Sequence, residues 1–257
     1  MRITNPFIPN RADPHVSLHD GHYHFTASVP EYDRVVLRRS RTLDGLASAS
    51  ERVLWTPPPG GPASSLVWAP ELHRIDGTWF VYFAAAPSRD TRDGLFQHRM
   101  YALRCTDADP MSGEWTFAGQ VDSGIDAFCL DATSFEHRGV RYYLWAQKHP
   151  DIPGNSNLYL APLRDGLHVE GAPVLLSRPE FDWEVQGFMV NEGPSVLVRH
   201  GRVFVSYSAS ATDERYAMGL LWADGGADLL DPASWHKSPT PVFVSDPAVL
   251  PTPIGGI

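Results

Sequence analysis

The sequence predicts an all-β fold, a β-propeller of repeated four-stranded blades, on three observations: a composition rich in aromatic and turn residues, almost no helical periodicity, and a hairpin motif that recurs four times. Eight Trp, nine Tyr and twelve Phe stand beside 23 Pro and 21 Gly, a mixture that suits short strands closed by many turns. The segment around Thr42 to Leu54 is the one short helical candidate,.

The hairpin motif is a strand, a tight turn at DG, RG or HG, and a second aromatic-rich strand. It occurs as DPHVSLHDGHYHFTAS from Asp13, APELHRIDGTWFVYFAA from Ala69, DATSFEHRGVRYYLWAQ from Asp131 and EGPSVLVRHGRVFVSYSAS from Glu192. The turn glycines are Gly21, Gly77, Gly139 and Gly201, at intervals of 56, 62 and 62 residues. A regular interval of this size marks a repeat architecture.

Third strands are predicted at Val35 to Ser40, Met100 to Cys105, Asn157 to Pro162 and Ala217 to Ala223. Fourth strands begin near Arg52, Trp115, Val174 and Trp235, the second and last introduced by Asp109-Pro110 and Asp231-Pro232. Hairpins alone also build sandwiches, but four strands at a regular interval favour propeller blades. A further turn glycine is due near position 263, whereas the sequence ends at Ile257 in DPAVLPTPIGGI. Either the propeller has four blades or a fifth lacks its inner strands.

In a propeller the first residues of the innermost strands converge at one mouth of the axis. Three of the four predicted inner strands begin with a carboxylate: Asp13 and Asp131 lie eight residues before their turn glycine, and Glu192 nine before Gly201. The second repeat has Ala69 at that place and Glu71 two residues on. A lone Asp before Pro ordinarily caps a turn, but three acids at matching repeat positions point to a shared site. Clustered carboxylates repel one another, which raises at least one pKa. Glycoside hydrolysis uses that pairing, an acid to protonate the leaving oxygen and a base to activate water.

The remaining chemistry narrows the field. A formal charge of -9 argues against nucleic-acid binding, which concentrates Lys and Arg on one face,. No run of 18 apolar residues suggests a membrane span, and the start MRITNPFIPNRADPHV has no signal-peptide core, so a cytoplasmic protein is expected, or a secreted one if a leader was removed,. Cys105 and Cys129 have no metal or redox spacing and read as buried thiols,. No EF-hand, GxSxG, P-loop or HExxH pattern occurs, and neither cofactor nor metal is expected,. His19, His22, His73, His137 and His200 fall beside predicted turns, where solvated surface is the default.

In order and spacing, RADPHV, VWAPEL, LDATSF and VNEGPSV resemble the motifs of glycoside hydrolase family 43, over about Asn5 to Phe243. The resemblance implies a single catalytic propeller over residues 1–257 with five blades, the fifth incomplete because the chain ends at Ile257, leaving an open edge,. It also implies an inverting hydrolase that releases terminal α-L-arabinofuranose from arabinan or arabinose-containing oligosaccharides. By the same resemblance Asp13 is the general base, Glu192 the general acid, and Asp131 the residue that raises the pKa of Glu192 and orients it. Base and acid should then stand about 6.5 to 9.5 Å apart. Trp68 and Glu71 of WAPE would line the sugar subsite, with core packing an equal reading for Trp68. A β-xylosidase, an endo-arabinanase and a catalytically silent glycan-binding propeller are the alternatives.

Overall fold

The computed structural model describes residues 7–246. These form two compact units, the first of residues up to 121 with 165–167, the second of 122–164 and 168 onward.

The first unit holds two four-stranded antiparallel sheets. One runs in order β1 (Ala12–His19), β2 (His22–Ser28), β3 (Val35–Ser40) and β4 (Arg52–Trp55). The other is β5 (Ser65–Ile75), β6 (Thr78–Ala86), β9 (Arg99–Cys105) and β10 (Thr116–Gln120), with the small hairpin of β7 (Thr91–Arg92) and β8 (Leu95–Phe96) between its second and third strands. The second unit repeats the plan. Its first sheet is β11 (Cys129–His137), β12 (Val140–Gln147) and β13 (Asn157–Arg164), with β14 (His168–Val169) and β15 (Val174–Ser177) both on β13. Its second is β16 (Asn191–Arg199), β17 (Arg202–Ala209) and β18 (Ala217–Asp224), with β19 (Trp235–Lys237) and β20 (Phe243–Val244) both on β18.

Four predicted turns close the leading hairpins. Asp20-Gly21, Asp76-Gly77, Arg138-Gly139 and His200-Gly201 all have positive φ at both residues, the mark of the two-residue turn whose twist matches a right-twisted hairpin. Flanking pairs such as His19 with His22 and Arg199 with Arg202 fix the register.

The core follows from strands apolar on both faces. In the first unit Val35 and Leu37 pack with Val67, Leu72, Trp79, Val81, Phe83, Tyr101 and Leu103, all nearly inaccessible to solvent. Burial of each such side chain contributes about 1.5–3 kcal/mol. The helix expected over Thr42 to Leu54 is a single 3₁₀ turn, Asp44–Ala47, followed by β4. Arg52 to Trp55 pair with β3 from Val35 to Leu37, as the fourth strand predicted from Arg52 requires, and that strand leaves room for only one helical turn before it. Four blade-like sheets lie among the described residues; the tail in which the incomplete fifth was expected lies from residue 247 onward, outside them.

Candidate active site

Each leading strand carries a β-bulge at the position where the sequence placed its acids. Pairing breaks between Ala12 and His15, Trp68 and Glu71, Leu130 and Thr133, and Glu192 and Ser195. The residues at the breaks with left-handed backbone are Asp13 (φ 51), Ala69 (φ 43), Asp131 (φ 52) and Gly193 (φ 56). Each lies eight residues before its turn glycine, so Gly193, not Glu192, is the counterpart of Asp13, and Glu192 stands one residue earlier. A bulge bends the strand and re-aims its side chains. A non-glycine residue held left-handed costs about 1–2 kcal/mol, which marks these positions as places where the backbone is set by something other than strand propensity.

The bulge carboxylates are held in the same way in both units. In the first, the Ser28 hydroxyl at the end of β2 donates to Asp13 Oδ2 at 2.7 Å, while the Ala69 amide donates to Ser28 Oγ at 2.8 Å and also hydrogen bonds to Asp13. Burial pushes the Asp13 carboxyl above its ordinary value of 3.8, outweighing the Ser28 and Ala69 hydrogen bonds that favour the anion,. In the second unit the Gly193 amide donates to Asp131 Oδ2 at 3.0 Å. The amide at the bulge of one sheet thus meets the carboxylate at the bulge of the sheet before it, twice.

Glu192 follows Asn191, which is fully buried. Asn191 Nδ2 donates to Glu184 Oε1 at 2.9 Å, Ser177 Oγ donates to Asn191 Oδ1 at 2.6 Å, and the Asn191 amide donates to the Ser156 carbonyl at 3.1 Å. Glu184 is wholly buried and also accepts from the Tyr207 hydroxyl and Lys237 Nζ, each at 2.9 Å, and from the amides of Glu180 and Phe181 at 2.9 and 3.0 Å. Burial works against that charge, but these amides and Lys237 hold its carboxyl below the usual range. On the other side of Glu192, the Tyr216 hydroxyl donates to Oε1 at 2.9 Å.

Trp68, beside the Ala69 bulge, is half-buried against the His98 ring at 3.8 Å between centroids, with Phe96 and Tyr32 edge-on at 5.5 and 6.2 Å. His98 Nε2 is bonded to the Leu66 carbonyl at 2.9 Å, and burial brings the ring's pKa down to about 4, so it backs Trp68 as a neutral plate. Trp68 Nε1 is buried with no hydrogen-bond partner among the described residues. Glu71 sits between two histidines, its Oε2 3.0 Å from His73 Nε2 and 3.8 Å from His15 Nε2. These three place ligand atoms within 4.8 Å of one another, a spacing a cation could use,. The Leu72 amide, however, donates to His15 Nδ1 at 3.3 Å, which puts the proton of the neutral ring on Nε2, facing Glu71. Burial lowers the His15 pKa to about 4, despite Glu71. The arrangement presents N–H to the carboxylate rather than a lone pair to a metal.

The structure therefore groups Asp131 with the Glu192-Gly193 corner in the second unit, and Asp13 with the Trp68-Ala69 corner in the first. Sequence reasoning missed Tyr216, Asn191, Glu184, Ser28 and His98. It also took His73 and His137 for solvated turn residues: His73 bonds Glu71, and His137 Nε2 lies 2.8 Å from the Gly225 carbonyl. Cys105 and Cys129 are buried thiols, as expected.

Carboxylates held in distinct hydrogen-bond environments, one beside a phenol hydroxyl and one raised by burial, are the equipment of a glycoside-cleaving enzyme. The chain belongs to the glycosyl hydrolases family 43, whose family model matches residues 3–250. It is 50% identical over 243 residues to an extracellular exo-alpha-(1->5)-L-arabinofuranosidase of Streptomyces chartreusis, covering 94% of this chain and 73% of that one. It is 49% identical over 250 residues to alpha-L-arabinofuranosidase 43 of Humicola insolens, covering 96% of this chain but 51%, about half, of the relative. Among solved structures, an alpha-L-arabinofuranosidase from Lactobacillus brevis matches with TM-score 0.92 and 54% identity, over 94% of this chain and 76% of that one. The fold is therefore the family's, and the all-β propeller expected from the repeat stands, with four blades among the described residues.

Proposed function

We propose that this chain is an exo-acting α-L-arabinofuranosidase that hydrolyses terminal arabinofuranose from arabinan or arabino-oligosaccharides with inversion. The observation that carries the reading is the corner where Glu192 takes the Tyr216 hydroxyl while the next residue's amide holds Asp131. The names of the relatives support the sugar.

In the proposed reaction Glu192 delivers its proton to the glycosidic oxygen as the bond to the anomeric carbon breaks. Asp13 takes a proton from the water whose oxygen attacks that carbon from the opposite face. Product leaves with Glu192 ionised and Asp13 protonated, and solvent exchange restores both. Asp131, fixed by the Gly193 amide, keeps a negative charge beside the acid and favours its protonated form,. Trp68, backed by His98, offers an apolar wall to the sugar ring, and Glu71, steadied by His73, an acceptor for its hydroxyls. No helix among the described residues is long and apolar enough to cross a membrane. The cytoplasmic location expected from the sequence gains no support from the Streptomyces relative, whose name calls it extracellular; for this chain we infer export.

The test is hydrolysis of aryl α-L-arabinofuranoside, aryl β-D-xyloside and linear arabinan, with NMR of the first-formed anomer. Selective release of arabinose as the inverted anomer is expected. A retained anomer overturns the mechanism, and selective action on the xyloside overturns the substrate. Glu192→Gln is expected to lose about 10²–10⁴-fold on poor leaving groups and far less on good ones.

A further inference from the structure

We propose that Tyr216 is a positioning residue for the acid of this reaction: its hydroxyl fixes which oxygen of Glu192 carries the transferred proton. The proposal rests on the reading of Glu192 as the general acid.

Tyr216 stands at the end of the loop that joins β17 to β18, and that loop is built to hold it. The Ala211 amide donates to the Gln186 carbonyl at 2.8 Å, the Gln186 amide to Ser210 Oγ at 2.9 Å, and Ser210 Oγ to the Trp183 carbonyl at 2.7 Å. Farther along, the Asp213 carboxylate accepts from the Arg215 amide at 3.0 Å and pairs with its guanidinium, while the Tyr216 amide closes a turn on the Asp213 carbonyl at 3.0 Å. Tyr216 is 7% exposed, so the hydroxyl has little freedom to turn toward water.

That hydroxyl donates to Glu192 Oε1 at 2.9 Å and hydrogen bonds to the side chain of Ser208, on β17. Burial, followed by the nearby charge of Glu192, holds the phenol well above its ordinary value of 10.0, so it remains a donor at any working pH,. A relay results, from Ser208 hydroxyl to Tyr216 oxygen and from Tyr216 hydroxyl to Glu192 Oε1. Because a carbonyl oxygen accepts better than a hydroxyl oxygen, the bond to Oε1 favours the acidic proton of Glu192 on Oε2,, and Oε2 is the oxygen that serves the leaving group. The same hydrogen bond favours the carboxylate that forms when the proton departs.

Tyr216→Phe removes the donor and keeps the ring. The expected result is a basic limb of kcat/KM moved to higher pH by about half to one unit. A loss of about 10-fold in kcat is expected on α-1,5-arabinobiose, whose leaving group needs the proton, against less than about 3-fold on the 2,4-dinitrophenyl glycoside, which needs little help. KM should hardly change. Ser208→Ala, which shortens the relay and leaves the phenol in place, is expected to move the limb in the same direction by less, and it serves as the second measurement if Tyr216→Phe does not fold. Equal losses on both substrates with an unmoved limb would reduce Tyr216 to a structural residue and overturn the proposal. Turnover of arabinosides by the wild-type chain tests the substrate reading separately, and the comparison of variants is run on whichever aryl glycoside the wild type cleaves.

Discussion

Replacing Glu184 by glutamine tests whether the buried charge behind Asn191 holds the acid corner together. The wild-type carboxylate meets only donors: two amides, the Asn191 amide group, the Tyr207 hydroxyl and the Lys237 ammonium. Glutamine offers one acceptor oxygen and one NH₂, so one side of the group must point a donor at donors. Lys237, 13% exposed, is left with the Arg178 carbonyl at 2.7 Å and Glu180 at 3.5 Å. Removing one partner of a buried pair costs about 3–5 kcal/mol. For a chain of this size a kcal/mol moves Tm by about 2–4 °C, so thermal unfolding followed by tryptophan fluorescence should show a fall of about 6–20 °C. The pH dependence has a definite sign. The folded Glu184 pKa lies below its ordinary value, so its stabilisation is complete above the unfolded pKa and disappears as pH falls through the folded one. The gap between wild type and variant must therefore shrink in acid. Glu184→Gln with Lys237→Met, which removes both charges, should recover part of the loss. A Tm change below about 2 °C at neutral pH, or a gap that widens in acid, would refute the reasoning.

Two further outcomes concern Asp13. Burial raises its folded pKa, so the stability the protonated carboxyl contributes is fully present below the unfolded pKa and is lost as pH rises through the folded one. Asp13→Asn keeps an acceptor for Ser28 and should gain stability over the wild type as pH rises, with no gain at pH 3, while abolishing activity,; a Tm difference that does not grow with pH would contradict it. Ser28→Ala deletes a hydrogen bond that favours the anion, so the acid limb of kcat/KM should move to higher pH by about half a unit with neutral-pH activity largely kept. A limb that stays in place would show that Ser28 does not bear on the base.

The parts of this fold that were legible are those written in short-range chemistry. Asp-Gly, Arg-Gly and His-Gly turns announce their hairpins because both residues must take positive φ,, and β3, β15, β18 and β19 begin at the residues predicted for them. The helical candidate over Thr42 to Leu54 shrinks to the 3₁₀ turn at Asp44–Ala47, while β4 begins at Arg52, where a fourth strand was predicted. At the candidate site, Asp13, Asp131 and Glu192 were visible as acids at repeat positions, and the eight-residue spacing that singles out Gly193 was already in the sequence. Their partners were not, because the contacts span long stretches of chain: Tyr216 lies 24 residues from Glu192, and Lys237 lies 53 from Glu184. Nothing local in DERYAM or SWHKS signals what those side chains reach.

The left-handed bend at Ala69 has a consequence of its own. That position bears no acid, yet its backbone adopts the same costly conformation as Asp13 and Asp131, followed by a proline just as Asp13 is. The bend is therefore inherited with the module, and reactive groups are fitted to it or omitted. Position 69 is a vacant mounting of known geometry, and an aspartate installed there would need no remodelling of the main chain to take it up.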